Sequence, residues 1–288
     1  MTIGNPGNAN DSGTTGSFFS PYGGVGYTFR MGTYEISEDM IAKANALGSL
    51  GITKDTRGVN QPATAVTWNE AARFVNWLNT SQSYAPAYKF TLQPGDGGYT
   101  TAANIVLWQA GDPGYDASNP YRNSAAYYFL PSENEWYKAA YYSGSGTTYF
   151  DYATGSNTSP TAVGSGTGAG TVVYARGANP VYADITQAGG LSAYGTMGQN
   201  GNVWEWQESA GDGINSSPSE NRTFRGGDAE GSVSFLRSSN RFDFADPSAY
   251  EDVNFGFRVA SVVVPEPTSA ALMATSLLGL LTLRRRRA

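Results

Sequence analysis

Residues 201–206 read Gly-Asn-Val-Trp-Glu-Trp, and the rest of the chain is organised around this stretch. Tryptophan is bulky and largely buried in most proteins, so Trp204 and Trp206 draw Glu205 toward the interior. An unpaired charge is costly there, and Glu205 therefore needs a cation, a metal ion or several N–H donors. The Gly-Asn pair tolerates left-handed backbone and permits a sharp turn. Two interpretations stay open: a structural turn in which Glu205 only accepts hydrogen bonds, and a metal-binding turn.

The composition narrows the class of protein. The 288 residues carry a net charge of −6, which disfavours a nucleic-acid-binding surface, and include 36 glycines and 19 tyrosines, which favour turns over a helical bundle. The chain contains no cysteine and no histidine. Disulfides, zinc–thiolate sites, Ser-His-Asp triads and histidine-based iron sites are therefore excluded. A cation that prefers oxygen ligands, such as calcium, is not excluded.

Three helices are predicted, two of them from capping boxes. Apolar spacing indicates a helix over Glu38–Leu47. Thr67-Trp68-Asn69-Glu70 is a capping box, in which the hydroxyl and the carboxylate satisfy free helix N–H groups, and it opens a helix over Trp68–Asn79. Ser132-Glu133-Asn134-Glu135 repeats the signature and opens a helix over Glu133–Tyr141.

The other segments predict short strands and long loops. Residues 1–24 are rich in Gly, Asn, Ser and Thr and are expected to form a disordered or extended arm. Alternation over Tyr27–Ile36 and the pattern of Phe255–Ala260 favour strands, whereas residues 143–170 are expected to be a long surface excursion. We therefore predict one irregular α+β domain over residues 25–262.

The C-terminal segment, residues 263–288, has the pattern of a membrane anchor. As a helix at about 1.5 Å per residue, the uncharged run Thr268–Leu283 is about 24 Å long, somewhat short of the ~30 Å bilayer core. Local thinning of the bilayer and flanking arginines accommodate such a span. Four arginines after the run predict a cytoplasmic C-terminus with the body outside.

The same segment resembles the PEP-CTERM sorting signal of Gram-negative bacteria. The resemblance rests on the following residues: Val264, Pro265, Glu266, Pro267, Arg284, Arg285, Arg286 and Arg287. It implies recognition by an exosortase-type enzyme and export to the cell surface or the extracellular space, in systems associated with extracellular polysaccharide. No basic region followed by an apolar run opens the sequence, so we expect the true start of translation to lie upstream.

The body resembles the formylglycine-generating enzyme (sulfatase-modifying factor) domain. The matching segments are Gly32–Ser37 (GTYEIS), Pro62–Leu78 (PATAVTWNEAARFVNWL), Leu130–Tyr141 (LPSENEWYKAAY), Tyr194–Trp206 (YGTMGQNGNVWEW), Phe224–Asp228 (FRGGD), Leu236–Arg241 (LRSSNR) and Phe255–Ala260 (FGFRVA). They follow the family order over nearly the whole body. The resemblance implies an irregular, C-type-lectin-like α+β fold with few helices, short strands and long loops.

The catalytic chemistry of the family does not carry over. Active members bind copper through two cysteines five residues apart, and the spacing of Arg237 and Arg241 places those positions on Val233 and Ser238. Neither side chain is a thiolate, so we expect no copper and no formylglycine generation. A related branch uses a histidine-based iron site, which this chain lacks.

A calcium site is the family feature that remains an open prediction. The resemblance implies ligation by a side chain at Gly198, by the carbonyls of Gly201 and Val203, and by Glu205. Glycine replaces the usual Asp or Asn at position 198, so one ligand is lost. Calcium takes about six to eight oxygens, and water would have to fill the gap.

Two further groups are candidates for binding. The first lines the substrate cleft in the enzymes that the body resembles: Asp228, Arg237, Ser238 and Arg241. Salt bridges and loop hydrogen bonds are the alternative role for these residues. The second group is suited to stacking on sugar rings or, equally, to packing against helices: Tyr127, Tyr128, Tyr141 and Tyr142.

Three functions remain to be compared. The first is an exported, non-catalytic surface protein whose lectin-like scaffold binds a ligand such as extracellular polysaccharide, held at the membrane by its tail. The alternative from another class is a divergent enzyme acting on protein or polysaccharide with carboxylates alone. Glycoside cleavage needs two facing carboxyls roughly 5–10 Å apart, and the sequence nominates no such pair. A structural matrix protein without a specific ligand is the third.

Overall fold

The computed structural model describes residues 1–13, 21–178 and 181–263. This part of the chain contains three α-helices: α1 (Glu38–Gly48), α2 (Trp68–Thr80) and α3 (Glu133–Tyr141). Its strands are β1 (Thr2–Ile3), β2 (Phe29–Met31), β3 (Lys89–Phe90), β4 (Ile105–Val106), β5 (Tyr128–Phe129), β6 (Thr161–Ala162), β7 (Thr171–Val172), β8 (Trp204–Ala210), β9 (Arg222–Arg225), β10 (Phe242–Ala245), β11 (Phe255–Gly256) and β12 (Ala260–Val262). Few helices, short strands and long loops confirm the predicted irregular α+β class.

The helices begin where the sequence predicts. In α2 the Thr67 hydroxyl accepts from the Glu70 N–H at 3.2 Å, and the Glu70 carboxylate accepts from the Thr67 N–H at 3.0 Å. In α3 Ser132 and Glu135 make the same reciprocal pair, at 3.3 and 2.6 Å. Ser37 caps α1 through the Met40 N–H. Each cap satisfies N–H groups that the first turn of a helix leaves free.

Two four-stranded sheets carry the domain, in the orders β1-β2-β12-β5 and β10-β9-β8-β11. The segment Phe255–Ala260, which the sequence predicts as one strand, instead connects the two sheets. Its first residues form β11, parallel to β8, and its end begins β12, antiparallel to β2 and β5. The residues between β11 and β12 therefore lie where both sheets meet.

Residues 1–24 were predicted to form a disordered or extended arm, and their first residues form a short strand. Thr2 and Ile3 pair with Arg30 and Phe29, and the Ile3 side chain is fully buried. Burial of an apolar side chain and a neighbouring strand edge explain why this short segment is ordered. Residues 14–20 lie outside the described part of the chain.

Two other segments refine the prediction. Only Phe29–Met31 of the region predicted as a strand or hairpin forms a strand, and its partners are β1 and β12. The predicted surface excursion, residues 143–170, is exposed or partly exposed at most positions. It still contributes β6, which pairs with β7, and the fully buried Tyr152.

The main core lies between α2 and the two sheets. It includes Trp68, Trp206, Phe224 and Phe257. Trp68 and Trp206 are fully buried, and their indole N–H groups donate to the carbonyls of Gln207 and Val66 at 2.8 and 2.9 Å. Within the residues described above, no helix is long and apolar enough to cross a membrane. The predicted tail span and the sorting motif, residues 264–288, lie outside that part.

Candidate functional site

The turn before β8 depends on left-handed backbone at Gly201 and Asn202, whose φ angles are 70° and 59°. The Asn202 N–H donates to the Val173 carbonyl at 2.8 Å, and the Gly201 N–H donates to Gly226 at 2.9 Å. A Cβ at position 201 would lie 2.2 Å from the Val173 carbonyl oxygen, so only glycine fits. The turn places the following strand with Glu205 facing the interior.

Glu205 forms a fully buried ion pair with Arg258. Arg258 Nε donates to Glu205 Oε2 at 2.6 Å, and Arg258 Nη2 donates to Glu205 Oε1. The indole N–H of Trp136 on α3 donates to Oε2 at 2.6 Å. Both carboxylate oxygens therefore have charge-assisted or N–H partners, which is what a buried carboxylate requires.

Arg258 also holds three backbone carbonyls. Its Nη2 donates to Met197 at 2.9 Å, and its Nη1 donates to Gly32 and Thr33 at 3.0 and 3.3 Å. The guanidinium thus ties the loop before the turn and the residues after β2 to Glu205. A fork of five donors suits this arrangement, whereas a lysine would reach fewer of the oxygens.

A second buried carboxylate, Glu35, lies beside this pair. Its side chain accepts from Asn202 Nδ2 at 2.9 and 3.2 Å and from the Val203 N–H. A Cβ at Gly198 would approach the Glu35 carboxyl to 2.9 Å, so this carboxyl occupies the space beside position 198. Burial, and then the charge of Glu205, raise the pKa of Glu35 well above its ordinary value.

The residues of this turn do not fit the predicted calcium ion. Glu205 is committed to Arg258 and Trp136, and Gly198 supplies no side-chain oxygen. Across the described residues, no group of three or more acidic side chains is placed to hold a metal ion. The structural interpretation of the turn fits this geometry, with Arg258 as the cation that Glu205 requires.

The copper positions of the family are filled by chemically inert groups. Val233 opens a 3-10 helix over Val233–Leu236 and is partly exposed. The Ser238 hydroxyl is buried and hydrogen-bonded to Tyr137, its N–H donates to Asp151 at 2.8 Å, and its carbonyl accepts from Arg225 at 2.9 Å. A valine and a buried hydroxyl do not fit a copper ion that needs thiolates.

Arg241, predicted to line a cleft, is part of a buried ion network. Its Nε donates to Glu133 at 2.9 Å, its Nη1 to Asp243 at 2.5 Å and its Nη2 to the Gly211 carbonyl at 2.7 Å. Arg225 donates to the same Glu133 at 2.7 Å. Two guanidiniums therefore share the Glu133 carboxylate of α3. These ion pairs hold α3 against the sheet that contains β9 and β10.

The remaining cleft residues differ in exposure. Asp228 is buried and accepts from the N–H groups of Glu230 and Gly231 at 3.1 and 2.6 Å and from the Trp204 indole. Burial raises its pKa above the ordinary value. Arg237 is about half exposed and lies 3.8 Å from Asp151. Of the four predicted cleft residues, Arg237 alone is exposed to solvent; the other three are held by internal bonds.

The four tyrosines proposed for sugar stacking divide into two pairs. Tyr141 and Tyr142 are buried and pack within the protein. Tyr127 and Tyr128 are partly exposed and form an aromatic cluster with Tyr84, with ring centroids 4.6 Å apart for Tyr84–Tyr127 and for Tyr127–Tyr128. Packing therefore accounts for the first pair, and the second remains a surface candidate.

Sequence reasoning missed two residues of the Glu205 site, Glu35 and Arg258. The sequence indicates that the buried Glu205 carboxylate needs a cation. It does not indicate that the cation is Arg258, which lies 53 residues away in the chain. Glu35 lies in the matching segment GTYEIS, yet nothing in that segment indicates that its side chain reaches Gly198.

The fold and the turn around Glu205 define an irregular α+β domain of the formylglycine-generating type. The chain belongs to the family described as "Sulfatase-modifying factor enzyme 1-like domain", which its sequence matches over residues 26–263. A comparison with curated proteins finds no match.

Solved structures share this fold. The protein titled "Treponema denticola variable protein 1" has a TM-score of 0.63 and 18% identity, covering 91% of this chain and 94% of that one. CarF has a TM-score of 0.60 and 18% identity, and the match covers 92% of this chain and 98% of CarF. PvdO from Pseudomonas aeruginosa has a TM-score of 0.52 and 18% identity, and the match covers 91% of each chain. At this identity the likeness shows the fold alone.

Proposed function

We propose that this protein is an exported, non-catalytic binding module, which uses a sulfatase-modifying-factor-like scaffold to hold a ligand at the cell surface or in the extracellular matrix. The family membership and the fold support the scaffold. The main support for the proposal is the residue found at the position of the family's second catalytic cysteine. Ser238 stands where the second cysteine would be, and its hydroxyl is buried against Tyr137.

The surroundings of Ser238 support the same proposal. Arg225 and Arg241, which frame this region, are bound to Glu133 and to backbone carbonyls. Groups committed to buried ion pairs are costly to release, so they are poor candidates for handling a substrate. A scaffold that keeps the fold and fills the reactive position is consistent with binding in place of oxidation.

Export and sorting form the second part of the proposal. The motif at residues 264–267, the apolar run and the arginines at 284–287 support recognition by an exosortase-type enzyme and transient anchoring in the membrane of a Gram-negative bacterium. The expected ligand is extracellular polysaccharide, since the sorting systems that this tail resembles are associated with it.

The divergent-enzyme alternative has less support. Glu135 and Glu208 meet through Arg122 beside a cavity of about 370 Å³ lined by Tyr27 and Asn119. The oxygens of both carboxylates are occupied. Glu208 accepts from Tyr88, Asn119 and Arg122, and Glu135 accepts from Tyr27, Arg122 and the Ser132 N–H. Neither is free to act as an acid or a base without breaking this network.

Two measurements test the proposal. The full chain is incubated with copper, oxygen and a cysteine-containing peptide of the sulfatase type, and mass spectrometry is expected to find the cysteine unchanged. In its host, the chain is expected to fractionate with the cell surface or matrix, and replacement of Pro265, Glu266 and Pro267 by alanine is expected to block processing of the tail. Formylglycine in the peptide, or a chain that stays in the cytoplasm, would contradict the proposal.

A further inference from the structure

A groove of about 620 Å³ lies between α2, the end of α1 and the segment that carries β3. This volume is within the ~300–1,000 Å³ of ordinary small-molecule sites. Aromatic rings and prolines form much of its wall: Trp77, Pro86, Tyr88, Phe90, Pro94 and Trp108. No residue of the Glu205 turn or of the family's reactive position lines this groove, so it is a separate site.

Trp77 presents an aromatic surface to the groove. It is partly exposed on α2, and its ring packs on Phe74 with centroids 5.8 Å apart. Gly48 allows this position, because a Cβ there would lie 2.6 Å from the indole Cδ1 of Trp77. The indole N–H has no hydrogen-bond partner among the described residues. The ring therefore packs on the core with part of its surface and leaves the rest, with the indole N–H, open to the groove.

Trp108 supplies a second, rigid ring. Its indole N–H donates to the Ala87 carbonyl at 3.0 Å, and its backbone N–H donates to Pro120 at 2.9 Å. Lys89 lies 5.7 Å from the ring centroid and pairs with Asp112 at 2.6 Å. The ring is therefore fixed before any ligand arrives, which lowers the entropic cost of binding.

The charged side chains of the groove have their hydrogen-bond donors engaged within the protein. Arg73 at its base donates to four backbone carbonyls: those of Leu92, Thr100, Thr101 and Ala103. Lys89 is neutralised by Asp112. The whole chain carries a net charge of −6, which repels polyanions. These charges favour an uncharged ligand.

Hydrogen-bonding groups remain free at the edge of the groove. The Gln93 side chain is exposed and donates to the Phe90 carbonyl at 3.3 Å, while its Oε1 accepts no bond from the described residues. The Trp77 N–H supplies a free donor. A sugar ring matches this combination, because its apolar face stacks on an aromatic ring while its hydroxyls donate and accept at the rim.

We propose that this groove binds a short segment of neutral polysaccharide, with sugar rings on Trp77 and Trp108 and hydroxyls on Gln93. The proposal rests on the proposed binding function and assigns it a site and a class of ligand. It differs from the tyrosine candidates considered above, since neither Tyr127 nor Tyr128 lines the groove.

The test is titration of the full chain with soluble neutral oligosaccharides built from glucose, mannose or galactose, and with alginate as an anionic contrast, followed by tryptophan fluorescence and calorimetry. We expect saturable binding of at least one neutral oligosaccharide. Trp77→Leu is expected to weaken it about tenfold or more. Gln93→Ala, a surface change that leaves the fold intact, is expected to weaken it severalfold. Tyr34→Ala, at an exposed tyrosine outside the groove, is the matched control and is expected to bind as the parent does.

Each outcome decides the proposal. Equal affinity of the parent and the Gln93→Ala and Trp77→Leu variants for a neutral oligosaccharide would overturn the groove while leaving a binding function elsewhere on the domain. Tighter binding of alginate than of every neutral sugar would overturn the class of ligand. If the chain binds no sugar but still associates with its host's matrix, the proposed sugar site is wrong and the proposed binding function stands. If the chain neither binds sugar nor associates with the matrix, both proposals are wrong.

Discussion

Arg258 and Glu205 form a buried, bidentate ion pair where the two sheets of the domain meet. Glu205 lies on β8 of one sheet, and Arg258 lies between β11 and β12, which belong to different sheets. The pair also reaches α3 through Trp136. One contact therefore connects both sheets and a helix.

Removal of one partner of this pair is expected to destabilise the domain strongly. Arg258→Gln leaves an unpaired buried carboxylate, and we expect it to lower the free energy of unfolding by about 3–5 kcal/mol. Arg258→Lys should recover only part of that loss, because an ammonium cannot reproduce the fork of donors. Chemical denaturation measures both.

The matched control for Arg258 is an exposed ion pair on α1. Lys43 and Asp39 lie 2.5 Å apart on the surface, four residues apart in the helix. Lys43→Ala is expected to cost less than about 1 kcal/mol. Equal losses in the Lys43 and Arg258 variants would show that the buried pair has no special role.

Glu35 is expected to make stability depend on pH. Burial and the Glu205 charge raise its pKa in the folded chain, so the folded state holds the proton to higher pH than the unfolded state does. The stability that the protonated Glu35 carboxyl contributes is fully present below the pKa that Glu35 has in the unfolded chain. It is lost as the pH rises through the pKa that Glu35 has in the folded chain. In that window the free energy of unfolding should fall by up to about 1.4 kcal/mol per pH unit.

Comparison of the parent with Glu35→Gln isolates this effect. The amide cannot ionise, so the variant should lack the decline and should be the more stable of the two at the alkaline end. Urea unfolding at a series of pH values gives both curves. Two parallel curves across the whole range would mean that Glu35 titrates at the same pH in both states.

Gly201 is expected to be irreplaceable for a steric reason as well as a conformational one. Its φ is +70°, and a Cβ would meet the Val173 carbonyl oxygen at 2.2 Å. Gly213 has a similar φ of +78° with nothing within 4 Å. Gly213→Ala should therefore cost the backbone strain alone, about 1–2 kcal/mol.

Gly201→Ala should add the cost of overpacking, about 1–3 kcal/mol more. At roughly 2–4 °C per kcal/mol for a domain of this size, the difference between the two melting temperatures is readily measured. If the two variants melt together, the close approach of the turn to Val173 is not a constraint.

Calcium is expected to leave the melting temperature unchanged. The sequence predicts Glu205 as a ligand, whereas the geometry commits it to Arg258 and Trp136. Glu205→Gln should therefore lower the melting temperature by the same amount in calcium and in chelator. A calcium-dependent rise in the parent that disappears in this variant would restore the metal-binding interpretation.

The helices were predictable because their signals are local. Thr67 and Glu70, or Ser132 and Glu135, are three residues apart, and each pair closes its cap without reference to the rest of the chain. Most strands were not predictable, because nearly all are only two to four residues long and pair with segments distant in sequence. Ile3 joins a sheet through Phe29, a partner that no local pattern indicates.

For the candidate site, the sequence could predict only that Glu205 needs a partner, not which partner it has. Two flanking tryptophans indicate that Glu205 is buried and needs a positive partner, but the choice between a metal ion and Arg258 depends on tertiary geometry. Motif spacing singles out Ser238 and Arg241, yet their burial could not be read from it. Trp77 lies outside the apolar spacing predicted for its helix, which agrees with its being only partly buried.

Binding of a ligand by this scaffold can be measured with a binding isotherm. The full chain is titrated with the host's own extracellular polysaccharide, once with calcium and once with chelator. We expect saturable binding with the same affinity in both conditions. The absence of binding in either condition, in a correctly folded chain, would contradict it.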